Sequence, residues 1–191
     1  MPDGANHVAF AYSKDGKDRF MTDYPNLNLL DGTSDKDHKV TGGGWNSSTI
    51  GVYKGPKVGQ EYTFSVEVPE ADHDVRLELV RLNNADERVD GVSSKVLKSG
   101  GKDHITFTWT EPENSSATHL SANLAWADGV HEGTYSYRKA KLEEGSTATP
   151  WMPSSSEATA KDYPSYIGTY TDNESNEQSI DPEKYSWKKI E

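Results

Sequence analysis

The chain contains no cysteine among its 191 residues. That excludes a disulfide framework and any thiolate metal site. No apolar run approaches the length of a membrane span. The N-terminus has neither the basic nor the apolar stretch of a signal peptide. Hydrophobic residues make up only 32% of the sequence, and the mean hydropathy is −0.86. Both values point to a thin core under a broad polar surface. Positive charge is also scarce: 20 Lys and Arg face 31 Asp and Glu, a net charge of −11. Such a field repels phosphate backbones and anionic lipid, so neither nucleic acid nor a membrane is an expected partner, whereas a neutral sugar is unaffected. No G-x-S-x-G, P-loop or G-x-G-x-x-G occurs. The six histidines are scattered, with no pair at the i, i+4 spacing of a helical zinc site.

Aromatics, by contrast, are plentiful: 5 Trp and 10 Tyr rule out a disordered chain. They fall in short alternating runs. Tyr62, Phe64, Val66 and Val68 oppose Thr63, Ser65 and Glu67. Val75, Leu77 and Leu79 oppose Arg76 and Glu78, and the alternation breaks at Val80-Arg81, as at a bulge. Ile105, Phe107 and Trp109 alternate with threonines, and Leu120, Ala122, Leu124 and Trp126 alternate with Ser121, Asn123 and Ala125. A last strand spans 133–142, and shorter ones fit 38–45 and 49–54. Period two predicts half-buried strands. Gly, Pro, Asn and Asp clusters separate them, among them residues 42–44, 83–86 and 112–116. No amphipathic helix is evident. The chain reads as all-β, an antiparallel β-sandwich, with jelly-roll connectivity a further expectation.

The ends echo one another. Val8-Ala9-Phe10-Ala11-Tyr12-Ser13-Lys14-Asp15-Gly16 leads to Asp23-Tyr24-Pro25, and Asp162-Tyr163-Pro164 opens a segment that runs through Tyr166-Ile167-Gly168 to Tyr185-Ser186-Trp187. The repeat predicts that 24–160 is a sandwich inserted into a small discontinuous β unit made of 1–23 and 161–191. Thr147-Ala148-Thr149-Pro150-Trp151-Met152-Pro153 reads as an exit strap, fixed by two prolines and anchored by Trp151.

Three segments carry a resemblance: Asn26-Leu27-Asn28-Leu29-Leu30, Lys57-Val58-Gly59-Gln60-Glu61-Tyr62-Thr63-Phe64, and Lys141-Leu142-Glu143-Glu144-Gly145-Ser146-Thr147-Ala148-Thr149-Pro150-Trp151. Together they resemble the carbohydrate-binding jelly-roll modules of tail and baseplate proteins from phages and prophages of Gram-positive bacteria. The flanks, with Ala11-Tyr12-Ser13 and Tyr166-Ile167-Gly168, resemble a short β motif of the same proteins. The resemblance implies a virion component acting outside the cell, without catalysis. Its partners would be host cell-wall polysaccharide and other tail proteins.

Sugars are bound by aromatic faces and planar polar groups. Trp45 follows three glycines with Asn46 beside it, and is a stacking platform or a structural plug. Tyr53 sits in a short polar strand. Tyr137, with Tyr135, lines a groove or packs across strands. Arg76, Glu78 and Asn123, with Arg81 just beyond, form a hydroxyl-reading cluster or a solvated sheet face with an ion pair of small value. Trp109 and Trp126 share parity with aliphatic neighbours and belong to the core. The loop Asp31-Gly32-Thr33-Ser34-Asp35-Lys36-Asp37 offers oxygen ligands for a structural calcium ion, though not at EF-hand spacing; a bare acidic turn is the alternative, and no other cofactor is expected. A spacer or docking module is the second reading, and it requires Trp45 and Tyr53 to be buried. A small cell-wall glycan hydrolase is the third, needing only two carboxylates some ~5–10 Å apart.

Overall fold

The computed structural model describes residues 5–45, 47–110 and 116–191. The chain divides into two compact units, Met1–Pro25 with Ala158–Glu191, and Asn26–Glu157. Eleven strands occur among the described residues: β1 Ala5–Ala11, β2 His38–Gly43, β3 Ser48–Tyr53, β4 Glu61–Ala71, β5 Val75–Leu82, β6 Arg88–Leu97, β7 Gly101–Thr108, β8 His119–Trp126, β9 Glu132–Glu144, β10 Tyr166–Asp172 and β11 Ser186–Lys189.

In the small unit, β10 pairs antiparallel with both β1 and β11. Its sheet is organised around Trp187. The indole lies against Gly168 and Gly16, where an added Cβ would overlap the ring. It packs edge-on to Phe20 and donates Nε1–H to the carbonyl of Pro182 at 2.9 Å.

The larger unit is a sandwich of two four-stranded antiparallel sheets, ordered β2-β9-β4-β7 and β3-β8-β5-β6. Counted within the sandwich, one sheet holds strands one, eight, three and six, and the other holds two, seven, four and five. Apart from the β5–β6 hairpin, successive strands alternate between sheets, which is the jelly-roll arrangement. The fold is therefore the all-β antiparallel sandwich that the alternation predicts. Tyr62, Phe64 and Val68 of β4 meet Val75, Leu77 and Leu79 of β5 and Leu120, Leu124 and Trp126 of β8, all essentially inaccessible. Each contributes about 1.5–3 kcal/mol by leaving water. Trp109 is also buried in this core.

Two points differ from the sequence pattern. β5 has no bulge of its own: it pairs without a break against β8, and the irregularities lie in its pairing with β6, where the register shifts beside Val80 and again beside Leu82. Strand β6 carries no apolar alternation, because it is a solvated edge strand. The turn signal at 112–116 lies, up to residue 115, outside the described residues.

The segment after β9 is clamped onto the sandwich by polar groups. Lys141 and Glu143 stand on the outward side of β9, yet both are fully buried beneath the strap. The Lys141 ammonium donates to Thr149 Oγ1 at 2.8 Å and to the Pro150 carbonyl at 2.7 Å. Glu143 accepts from Asn26 Nδ2 and from Thr149. Burial pulls the lysine down to about 8, against the partial restoring effect of Glu143. Trp151 Nε1–H donates to Thr33 Oγ1 at 3.0 Å.

Candidate functional site: an open groove on the β5–β6 face

Burying Val75, Leu77 and Leu79 turns Arg76 and Glu78 to the opposite face of β5. On that face Glu78 has Ser94 of β6 on one side and Asn123 of β8 on the other. Trp45 reaches the same face from the turn after β2. Gly44 makes that turn at φ +71°, a conformation that favours glycine. Trp45 is 52% exposed, a large value for an indole, and is not a core plug. Its ring lies over Gly129, and the Arg76 guanidinium carbon sits 5.6 Å from the ring centroid.

Trp45, Arg76, Glu78 and Arg88, with Gly91, Val92, Ser93 and Ser94, enclose an open groove of about 950 Å³. Two of its polar atoms are buried without a hydrogen-bond partner: Arg76 Nε and Glu78 Oε1. The other Arg76 nitrogens are engaged, Nη2 with the Ala127 carbonyl at 2.9 Å and Nη1 with Ser94 Oγ at 3.4 Å. Glu78 is 8% exposed, and burial pushes its carboxyl above the ordinary range, against the opposing pull of Arg88 and Arg76. The residues lining the groove thus include one buried, unpaired N–H donor, one buried, unpaired oxygen acceptor and one exposed aromatic face. Buried polar atoms are normally paired, so an unpaired donor and acceptor on one wall single this groove out as the candidate site.

The structure brings together Trp45, Arg76 and Glu78. Asn123 shares the face directly opposite Glu78, but lies outside the groove lining and accepts a hydrogen bond from Ser121 Oγ at 2.7 Å. Tyr53 and Tyr137 are elsewhere. Tyr53 packs against the core with its ring 5.7 Å from Tyr62. Tyr137 belongs to the other sheet, packs on the core and lies 5.1 Å from His38. Arg81 is also turned away: it stands over Phe107 and Trp109 and forms a two-point ion pair with Asp90. Asn46 lies outside the described residues. Sequence reasoning missed Arg88 and the β6 floor, which lie in a stretch without periodic signal.

In the acidic loop, Asp31 accepts from Ser156 Oγ at 3.1 Å, Asp37 pairs with Arg138 at 3.2 Å, and the Gly32 N–H is capped by Glu157. Among the described residues no group of three Asp, Glu or His side chains is placed to hold a metal ion.

No family model matches the chain, and no curated protein matches it. Among solved structures, a chain of the tripod (BppUct-A-L) from the baseplate of bacteriophage Tuc2009 is similar over 100% of this chain and 80% of its own length, at 26% identity and TM-score 0.64. The likeness is to a phage baseplate. It bears out the resemblance to phage tail and baseplate modules seen in the sequence. Two structures with carbohydrate-binding modules overlay less closely. A CBM4 structure covers 65% of this chain and 76% of its own, at 14% identity and TM-score 0.39. The CBM22-1–GH10 modules of Clostridium thermocellum xylanase 10B, solved with xylohexaose, cover 76% and 29%, at 15% identity and TM-score 0.35. Neither overlay is close enough to bear on the groove.

Proposed function

We propose that this chain is a carbohydrate-binding module of a phage tail or baseplate that recognises host cell-wall polysaccharide and does not cut it. The observation that carries the reading is the unpaired Arg76 Nε and Glu78 Oε1 beside the exposed indole of Trp45. A sugar hydroxyl both donates and accepts, so one ring stacked on Trp45 would satisfy the guanidinium and the carboxylate together once rotamer changes expose them to it. The full-length likeness to a baseplate tripod chain supports a place in the virion, acting outside the cell. No helix among the described residues is long and apolar enough to cross a membrane. Glycoside hydrolysis uses a pair of carboxylates, and among the described residues lining the groove Glu78 is the one carboxylate. Binding at one open groove is weak, and many copies on one virion raise it through avidity.

The test is binding of the fluorescently tagged chain to a panel of Gram-positive cells before and after their wall polysaccharide is stripped. Strain-selective labelling that stripping removes, and that Trp45→Ala abolishes, supports the reading. The same glycan should quench or shift tryptophan emission in the parent chain and leave Trp45→Ala unchanged. Absence of labelling on every strain favours the second reading, a docking module, for which the baseplate likeness is itself an argument.

A further inference from the structure

The chain has five arginines, and three of them are matched to acid. Arg19 pairs with Asp18, Arg81 with Asp90, and Arg138 with Glu67 and Asp37. The other two, Arg76 and Arg88, form no ion pair among the described residues, although the sequence carries 31 Asp and Glu. Both line the groove. In so acidic a chain an arginine readily finds a carboxylate. Two that do not, in one groove, leave positive charge uncompensated where a ligand would lie.

The two are held differently. Arg76 is fixed by neutral oxygens, the Ala127 carbonyl and Ser94 Oγ, so its charge is anchored without being neutralised. Arg88 is exposed and makes no hydrogen bond among the described residues. It leaves the start of β6 and bends back along the strand. Its Nη2 comes over Gly91, where an added Cβ would lie 2.8 Å from it. Gly91 stands opposite Val80, and Ser94 opposite Glu78. Trp45 and Arg76 therefore occupy one end of the groove, Glu78 and Ser94 the middle, and the Arg88 guanidinium the far end, along about 13 Å of strand. Glu78 is the one carboxylate among the described residues lining the groove, so the lining stays net positive even with that group ionised. Arg88 also acts on Asp90, but Arg81 holds that carboxylate at two points. Asp128, next to Ala127, is taken up by the backbone N–H groups of Val130 and His131 and by His73.

We infer that the groove selects an acidic glycan: Trp45 stacks on a sugar ring, and Arg88 receives a phosphodiester or carboxylate farther along the polymer, with Arg76 adding a second positive charge. The inference rests on the groove being the sugar site of the proposed function, and adds the charge of the ligand. A guanidinium presents a planar fork of N–H donors that fits the oxygens of a carboxylate or a phosphate, and such charge-assisted bonds are about twice as strong as neutral ones. Arg88 gives up no partner among the described residues to make them. The acidity of the whole chain does not forbid the contact, because exposed charges more than about 10 Å away are screened at ordinary salt. The same acidity disfavours a densely charged polyanion, which has to lie across much more of the surface.

The test uses the full chain and wall polysaccharide purified from each strain of a Gram-positive panel, separated by anion exchange into neutral and acidic fractions. Affinity is read by titration calorimetry. The acidic fraction of at least one strain should bind roughly tenfold or more tightly than any neutral fraction, and should lose about that factor between about 0.05 and about 0.5 M salt. Arg88→Gln removes an exposed side chain, so the fold should survive it; binding of the acidic fraction should weaken roughly tenfold and its salt dependence should fall. Lys102→Gln, the same loss of charge on β7 of the other sheet, should leave both unchanged. Two treatments of the acidic fraction separate the sources of charge: hydrofluoric acid cleaves phosphodiesters, and carbodiimide activation with borohydride reduction turns carboxylates into alcohols. Loss of binding after one treatment supports the inference and identifies the group; binding that survives both overturns it. A neutral fraction bound as tightly as the acidic one, or an acidic fraction bound equally by Arg88→Gln, also overturns it, and leaves the sugar site standing where Trp45→Ala still abolishes binding. Inorganic polyphosphate bound as tightly as the acidic fraction overturns it too, because the groove would then read charge without sugar. Binding of no fraction from any strain refutes the proposed function, and the inference falls with it.

Discussion

Arg76 and Glu78 stand two residues apart on one face of β5, and each holds a buried polar atom without a partner. A donor and an acceptor so close could have satisfied each other. They do not: both atoms are buried and neither has a hydrogen-bond partner. An unpaired buried polar group costs about 1–3 kcal/mol, so the free chain carries a destabilising wall, which under the proposed function a ligand relieves.

Replacing Glu78 by Met should therefore stabilise the free chain at neutral pH by about 1–3 kcal/mol while abolishing glycan binding. The sign of the pH dependence follows from the raised carboxyl. Unfolded, the group ionises near 4.5; folded, it ionises higher. Its destabilising effect is absent below 4.5 and complete above the folded value. The gain from Glu78→Met should thus appear near neutrality and fade in acid, as read from thermal melts across the pH range. A variant less stable than the parent at neutral pH would mean that the carboxylate has a structural partner.

The groove was legible only in part, for physical reasons. The apolar sides of β4, β8 and β5 as far as Leu79 keep period two, and that parity turns Arg76, Glu78 and Asn123 outward. β6 keeps no period, because register shifts interrupt its pairing with β5 and its edge position leaves most of its side chains in water. Arg88 and the floor of Val92, Ser93 and Ser94 were therefore invisible. Tyr53 and Tyr137 have the opposite problem: a polar tip on a ring that packs against the core reads as a surface residue.

Lys141 gives stability a second dependence on pH. Buried, it deprotonates at about 8, and exposed in the unfolded chain at about 10.5. Between these values the unfolded chain binds more protons, so the contribution of this group to stability rises with pH across that window, by up to about 3 kcal/mol, and is smallest below 8. Chemical denaturation from about pH 7.5 to about pH 10 should show the rise, and Lys141→Met should flatten it. An unchanged slope in Lys141→Met would assign the dependence to another group.

The Arg81–Asp90 pair lies beside the rings of Phe107 and Trp109. Arg81 is nearly inaccessible, whereas the Asp90 side chain is 37% exposed, so water screens part of the attraction. Asp90→Ala should cost about 2 kcal/mol, because it leaves a buried guanidinium with no carboxylate among the described residues and hydrogen bonds to Thr110 alone. Arg81→Met should cost less, since the thioether keeps the apolar contact and leaves no buried charge. A double-mutant cycle measures the pair; a coupling near zero would show that the two side chains act independently. Neither change should alter glycan binding.

Gly16 and Trp187 supply the test of the two-unit organisation. Gly16 sits at φ +78°, and a Cβ there would overlap the indole of Trp187, which also covers Gly168. Gly16→Ala therefore forces both backbone strain and displacement of the ring around which the small sheet is organised, a combined cost of a few kcal/mol. A three-stranded sheet has little reserve against such a loss. The sandwich has its own core, from Leu30 to Leu142. The expected result is selective. Protease should cut within residues 8–23 and 162–191 of the variant while 26–157 persists as a resistant fragment, and that fragment should bind glycan as the parent does. Loss of the fragment at the same rate as the ends would mean that the two units fold as one.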